Sequence, residues 1–345
     1  MARSSSATTG AGRRPALLAA KLRLLVTAGW GPATSDDDPS PFPGGAALRR
    51  REAAWVLVED GPARALGPAL TWAVARGVGQ LHVLVPQAAG LVARRATLFA
   101  EPPVVWRIEG GSVVRAEPDP PATAPALAPE VEAFLPMLVA AGVEVVIEHG
   151  AVAAEVLGLE VARVVVAEGS RARLEVGVGS HDRECQRQLH GDQPSEAVLA
   201  AAVAAVRRRR RPGVPSHAVN QLARERWLRS VLVGRPEMVG AARLAPAPST
   251  SPRGDLRRPT PAVAVGVDLD GRPLVVVCSV GIDLDLVPAA ADARLSFDPS
   301  ARLVLVLPVT DAHAVTRGLA SALADPAEIV TVDEGWEEAA PVSRP

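Results

Sequence analysis

The sequence predicts an α/β protein of two domains behind a disordered N-terminal tail. Apolar runs of five or six residues, rich in Val and Leu, alternate with helical stretches from Trp55 onward, the pattern of a largely parallel sheet. A chain of 345 residues is long enough for two cores. Residues 1–52 are rich in Ser, Gly, Pro and Asp, with SDDDPSPFPGG near their end, a composition that buries little apolar surface.

The first domain is expected over 53–212. WVLVED (Trp55 to Asp60) reads as a strand, and PARALGPALTWAVARG as a helix closed by Gly77. LHVLVP is the next strand, AAGLVARRATLFA the next helix, and VVWRIE the third strand, with GGSVVRAEP returning as a hairpin arm. A Pro/Ala linker covers 117–129. After it come a helix from Glu130 to Ala141 and a strand from Val143 to Ile147. EVLGLEVARVVVAE and RARLEVGVG read as two strands about a Gly169-Ser170 turn. HDRECQRQLHGD and PSEAVLAAAVAAV read as helices, the second closed by Arg207, Arg208, Arg209, Arg210 and Arg211 and broken by PGVP.

The second domain is expected over 213–335, with a short tail at 336–345. Its opening helix, SHAVNQLARERWLRSVLVG, has Ser216 at its N-cap position. A strand in MVGAARLAPAP follows. PAVAVGVDLDGRPLVVVCSVG is a hairpin turning at Asp270-Gly271. Helix VPAAADARLSF, strand LVLVLP, helix DAHAVTRGLASAL and strand EIVTVD complete an α-β-β-β-α-β-α-β order.

Composition excludes several chemistries. Lys21 is the only lysine and there is no tyrosine. A Walker A loop and the strand lysine of a protein kinase are therefore absent, and a Schiff base has no lysine but one in the expected tail. The net charge of −1 gives no global basic field for nucleic acid, so such binding needs a local patch. Cys185 and Cys278 lack CxxC spacing and read as reduced thiols of a cytoplasmic protein. No run of 18 apolar residues predicts a membrane span, and Lys21 and Arg23 interrupt the apolar stretch behind Arg13 and Arg14 that a secretory leader would need intact, so that stretch reads as a short amphipathic helix or as a misassigned start upstream of the true domain.

Candidate sites are few. Asp268, Asp270, Asp283 and Asp285 form two D-L-D pairs flanking the hairpin, hard oxygen donors of the kind that hold Mg²⁺, or else a solvated turn and a helix cap. GVGSHDRECQRQLHGD gathers His181, Asp182, Glu184, Cys185, His190 and Asp192, to be read as a capped polar helix face or as transition-metal ligands. Glu175, alternating with apolar neighbours on the preceding strand, requires an arginine partner if its face is buried. Gly177 and Gly179 lack the third glycine of a dinucleotide fingerprint, since Asp182 takes that place. The five arginines from Arg207 complement a helix C-terminus, and they are also the strongest candidate for phosphate contact with DNA or RNA.

The stretch from Ser216 to Asp333 resembles the PD-(D/E)XK nuclease superfamily, in its RecB-like and restriction-type core. The helix with RERWLRSVL before PEMVG, the hairpin VAVGVDLDGRPLVVVCSVG, and the following helix with LVLVLP carry the likeness. The resemblance implies an αβββαβ core with a helix glutamate, an acidic residue on the first hairpin strand and an E-x-K triplet on the second, together holding one or two divalent metals. Glu225 matches the helix position. The strand positions fall on Val263 and on Cys278, Ser279 and Val280, while Asp268 and Asp270 lie at the turn end. The resemblance thus implies a nuclease-like domain with its metal site erased. The leading reading is a non-catalytic protein, without cofactor, that binds DNA or RNA or scaffolds a protein partner. The alternative is a divergent metal-dependent nuclease or hydrolase using Glu225, Asp268, Asp270 and Asp283 with Mg²⁺. A third is a structural protein with no ligand.

Overall fold

The structure, a computed structural model, describes residues 8–32, 39–121, 123, 126–148, 151–166, 171–190, 196–211, 218–250 and 260–339. The fold is α/β, as expected. The chain divides into two compact units. The first comprises Met1–Pro121, Leu284–Asp292 and Ala314–Pro326. The second comprises Ala122–Asp283, Ala293–His313 and Ala327–Pro345. This division differs from the expected boundary near residue 212, because the chain returns twice to its first unit.

Order begins well before Ala53, which corrects the expected tail over 1–52. Helix α1 (Thr8–Trp30) is followed by strands β1 (Ser40–Phe42) and β2 (Gly45–Arg50). Leu18, Leu22, Leu25 and Val26 recur at helical spacing and are buried against Ala46, Leu48, Trp55, Leu57 and Leu84. That apolar face outweighs the polar composition around it. Strands β3 (Ala53–Val58), β4 (Gln80–Val85), β5 (Val104–Glu109) and β6 (Ser112–Arg115) complete a six-stranded sheet in chain order, with helices α2 (Leu66–Val74) and α3 (Ala89–Ala96) between β3, β4 and β5. β1, β2 and β3 pair antiparallel, β3, β4 and β5 parallel, and β6 returns antiparallel. Within this unit Arg94 Nε donates to Asp292 at 2.7 Å. Arg95 donates to Asp292 at 3.1 Å and to Asp285 at 2.9 Å. Asp285 also accepts the Gly67 N–H at 3.2 Å. All four side chains are buried, so each charge depends on its partner.

The second unit holds two sheets. The expected helix over 130–141 is two short ones, α4 (Pro129–Glu132) and α5 (Leu135–Ala140). Strands β7 (Glu144–Glu148), β8 (Ala151–Val156), β9 (Leu159–Val166) and β10 (Ala172–Val176) form an antiparallel meander. One expected strand thus divides into β8 and β9 at Leu157-Gly158, where Leu157 itself takes a left-handed φ of 48°. The expected turn residues Gly169 and Ser170 lie outside the described residues. Helix α6 (Gly179–His190) follows, then α7 (Glu196–Arg209), which buries Leu199, Val203 and Val206 on this sheet beside Val131 and Leu138.

Helix α8 (Arg224–Gly234) opens the second sheet. It starts eight residues beyond the expected cap at Ser216, which lies outside the described residues. Strands β11 (Ala241–Ala247), β12 (Ala262–Asp268) and β13 (Pro273–Cys278) are antiparallel. Helix α9 (Leu286–Phe297), β14 (Arg302–Pro308), α10 (Ala314–Ser321) and β15 (Glu328–Val332) follow in the chain, α10 and α9 up to Asp292 belonging to the first unit, with β13, β14 and β15 parallel. The order along this sheet is that of the chain. Trp227, Leu228, Val231 and Leu232 of α8 are buried on Ala264, Leu274, Val276, Val304 and Val306. The helix-meander-helix-strand-helix-strand threading of α1 to β5 therefore recurs from α8 to β15. No helix among the described residues is long and apolar enough to cross a membrane.

Candidate functional site

The positions at which the nuclease resemblance places metal ligands are core positions. Val263 is 2% exposed and Cys278 is not exposed at all. Cys278 and Val280 pack in the cluster beneath α8. Burial pushes the Cys278 thiol up to about 12, with Arg229 opposing and Glu225 adding to the rise. Glu225, in the first turn of α8, is buried too. Asp268 and Asp270 lie at the other end of the hairpin, five residues or about 17 Å of strand from Val263. Asp268 accepts the N–H groups of Asp270 and Arg272, both at 2.9 Å, and these bonds keep its pKa below the usual carboxylate range. It therefore closes a turn. Asp285 belongs to Arg95, as described above. Asp283 is half-buried. Among the described residues no group of three or more His, Cys, Asp or Glu is placed to hold a metal ion.

The other sequence candidates have local roles. Asp182 accepts the Val178 N–H at 2.7 Å and so caps α6. Glu175 takes Arg173 at 2.8 Å. Glu184 pairs with Gln188 at 3.1 Å, and Cys185 is half-buried. The side chains of His181 and His190, and Asp192, lie outside the described residues. The arginine run is divided. Arg207 donates to the Gly142 carbonyl at 2.7 Å. Arg210 turns inward to the Leu157 and Leu222 carbonyls, with its guanidinium 4.6 Å over the Trp227 ring. Arg208, Arg209 and Arg211 are exposed.

Two clusters were not singled out from the sequence. The first, in the second unit, is a closed charge network. Arg226 of α8 donates to both Glu148 oxygens, at 2.7 and 2.6 Å, and to Glu155. Arg229 takes the other Glu155 oxygen. Burial would raise the Glu148 pKa, but the charge and hydrogen bonds of Arg226 outweigh it and hold that pKa low. Glu144 accepts from Ser230 through Oε1, while its buried Oε2 has no partner. Burial pushes Glu144 up to about 7, Ser230 and Arg229 pull it down, and Glu155 adds to the rise. Glu155 is 0% and Arg229 1% exposed, and the network fastens α8 to β7 and β8.

The second cluster is an open cavity of about 970 Å³ in the first unit. Its wall is formed by Trp30 at the end of α1, by Arg49, Arg50, Arg51 and Glu52 at the β2–β3 turn, and by Trp55 and His82. Trp55 and His82 are cross-strand partners on β3 and β4, and their rings stack at 5.2 Å. Trp30 meets Trp55 edge-on at 5.5 Å and Trp106 at 4.9 Å. The Trp106 Nε1–H donates to His82 Nδ1 at 3.1 Å, so the neutral ring carries its proton on Nε2. Burial lowers the His82 pKa to about 4, and the ring is neutral at pH 7. The Arg50 guanidinium lies 5.6 Å over Trp55, whose own Nε1–H is buried without an acceptor. Arg49 donates to the Arg51 carbonyl at 3.0 Å, which shapes a turn where Arg51 adopts φ 54°.

No known protein-family profile, no curated protein and no solved structure matches the chain.

Proposed function

We propose that the chain is a non-catalytic nucleic-acid-binding protein whose second unit carries a nuclease-like core with an apolar plug in place of the metal. The observation that carries this reading is the packing of Val263, Cys278 and Val280 in the core. Metal-assisted hydrolysis requires carboxylates that hold the ion and a position open to water. A protonated thiol and two valines supply neither. The five-strand order, with its antiparallel meander and two parallel additions, supports the likeness to an αβββαβ core. Exposed arginines at 49, 51, 208, 209 and 211 support contact with phosphates. The buried, protonated thiol of Cys278 suits a cytoplasmic protein.

The test is incubation of the full chain with single- and double-stranded DNA and RNA in Mg²⁺ or Mn²⁺, alongside a binding titration at several salt concentrations. The expected result is binding that weakens with salt and no cleavage. Cleavage that disappears in Glu225→Ala or Asp268→Ala would establish a divergent nuclease instead. Failure to bind any oligonucleotide would remove the nucleic-acid reading.

A further inference from the structure

We infer that the cavity walled by Trp30, Trp55 and the β2–β3 turn is a binding site for an unpaired nucleobase and its phosphate. The inference rests on the nucleic-acid reading for its choice of ligand and on the cavity alone for its place. Its volume, about 970 Å³, is at the upper end of the range of small-ligand sites.

The wall selects its ligand through hydrogen-bond sense. Guanidinium groups donate and never accept. His82 carries its proton on Nε2 because Trp106 occupies Nδ1. A ligand matched to this wall brings acceptor atoms and negative charge. Phosphate oxygens meet both demands, and Arg49 and Arg51, exposed on one turn, face them with little desolvation cost. Burial holds His82 neutral, so the positive charge of the wall is that of the arginines at the turn.

The ligand is planar as well as anionic. Trp55 is covered by His82 on one side and approached by Arg50, which leaves Trp30, half-exposed at the end of α1, as the platform for a ring. Bases stack on such a platform regardless of sequence. Among the described residues Glu52 is the one acid of the wall and its one charged acceptor. It suits an exocyclic amine, which cytosine and adenine carry and thymine lacks. A nucleotide within a single strand and a free nucleoside monophosphate present the same chemistry.

The full chain is titrated with dC10, dA10 and dT10 and with CMP and AMP, read by tryptophan fluorescence and by anisotropy of labelled oligonucleotide. The variants are Trp30→Ala and the double variant Arg49→Gln/Arg51→Gln, each checked for folding by circular dichroism. The double variant changes only exposed side chains and keeps the test valid should Trp30→Ala unfold α1. Quenching by dC10 and dA10 is expected, with dT10 weaker. Trp30→Ala should weaken binding roughly tenfold. Loss of two phosphate contacts should lower the salt slope by about 1.4, at about 0.7 for each contact to a single strand. Oligonucleotide binding unchanged in both variants overturns this site and leaves the nucleic-acid reading standing. Quenching by CMP or AMP without oligonucleotide binding keeps the site, as one for free nucleotides, and removes that reading. No response to any of the five probes overturns both.

Discussion

Helices α1 and α8 open the same threading, yet they are fastened by different physics. α1 lies with Leu18, Leu22, Leu25 and Val26 on its sheet, and its outer face leaves Leu17 and Leu24 about two-thirds exposed or more, at 68% and 71%. Its charged contacts, Arg14 to Asp60 and Lys21 to Glu59, sit at the rim. α8 is covered on two sides. Trp227, Leu228, Val231 and Leu232 meet the sheet it opens, while Arg226, Arg229 and Ser230 meet Glu144, Glu148 and Glu155 on the meander. A helix with one buried face needs only apolar spacing. A helix buried on both faces must match every charge it carries. The open helix also ends on a half-exposed tryptophan beside a basic turn, and the equivalent turn of the second sheet, at Asp268 and Asp270, is acidic. One scaffold thus serves once as a surface with a cavity and once as a closed joint.

The largest effect expected follows from breaking the joint. Arg226→Met takes from buried Glu148 the guanidinium that holds both its oxygens and leaves Glu155 with Arg229, and should destabilise the chain by about 3–5 kcal/mol in urea unfolding. A loss under about 1 kcal/mol would mean that the network does not fasten α8. Next is the apolar seat of α1. Leu22→Ala, at a position with 0% exposure, should cost roughly 3 kcal/mol by the same measurement.

A pH series sharpens the contrast further. The Glu144 pKa rises on folding from 4.5 to about 7. The folded chain therefore binds the extra proton between those values. The stability this supplies is complete below about pH 4.5 and is lost as pH rises through about 7. Unfolding free energies of the parent and Glu144→Gln should diverge across that window by at most about 3 kcal/mol, with the parent losing ground as pH rises. Parallel curves would show that Glu144 does not titrate there. The smallest effect belongs to the rim of α1. Arg14→Ala removes an exposed pair and should change stability by less than about 1 kcal/mol, with the difference fading in high salt.

The second sheet could be read from the sequence element by element, because β13 and β14 are continuous apolar runs and Asp270-Gly271 marks the hairpin. Its opening helix starts later than expected, since Ala223, in the left-handed region at φ 50°, stands at the start. The hairpin of β8 and β9 was hidden because Leu157, a residue that rarely takes positive φ, supplies its turn. A short amphipathic helix could be read in the spacing from Leu18 to Val26, but its place in the first core, and strands β1 and β2 after it, were hidden by the Ser, Pro and Asp around them. The cavity was not legible, because its wall comes from separate segments that only strand register unites. Trp55 and His82, one on each of two consecutive strands, were the available signal. That the arginine run ends a helix could be read. That Arg210 turns inward could not, because the carbonyls receiving it, Leu157 and Leu222, lie far from it in sequence.

The returning segments of the first unit bear on how this protein can be cut and expressed. A clone stopped at Pro121 would contain all six strands of that sheet and look complete on a sequence map. It would lack Asp285 and Asp292, the acids that Arg94 and Arg95 hold in the interior. Two buried guanidinium groups would lose these carboxylates, so such a fragment is expected to come out insoluble. Supplying residues 284–326 on a second plasmid should rescue it.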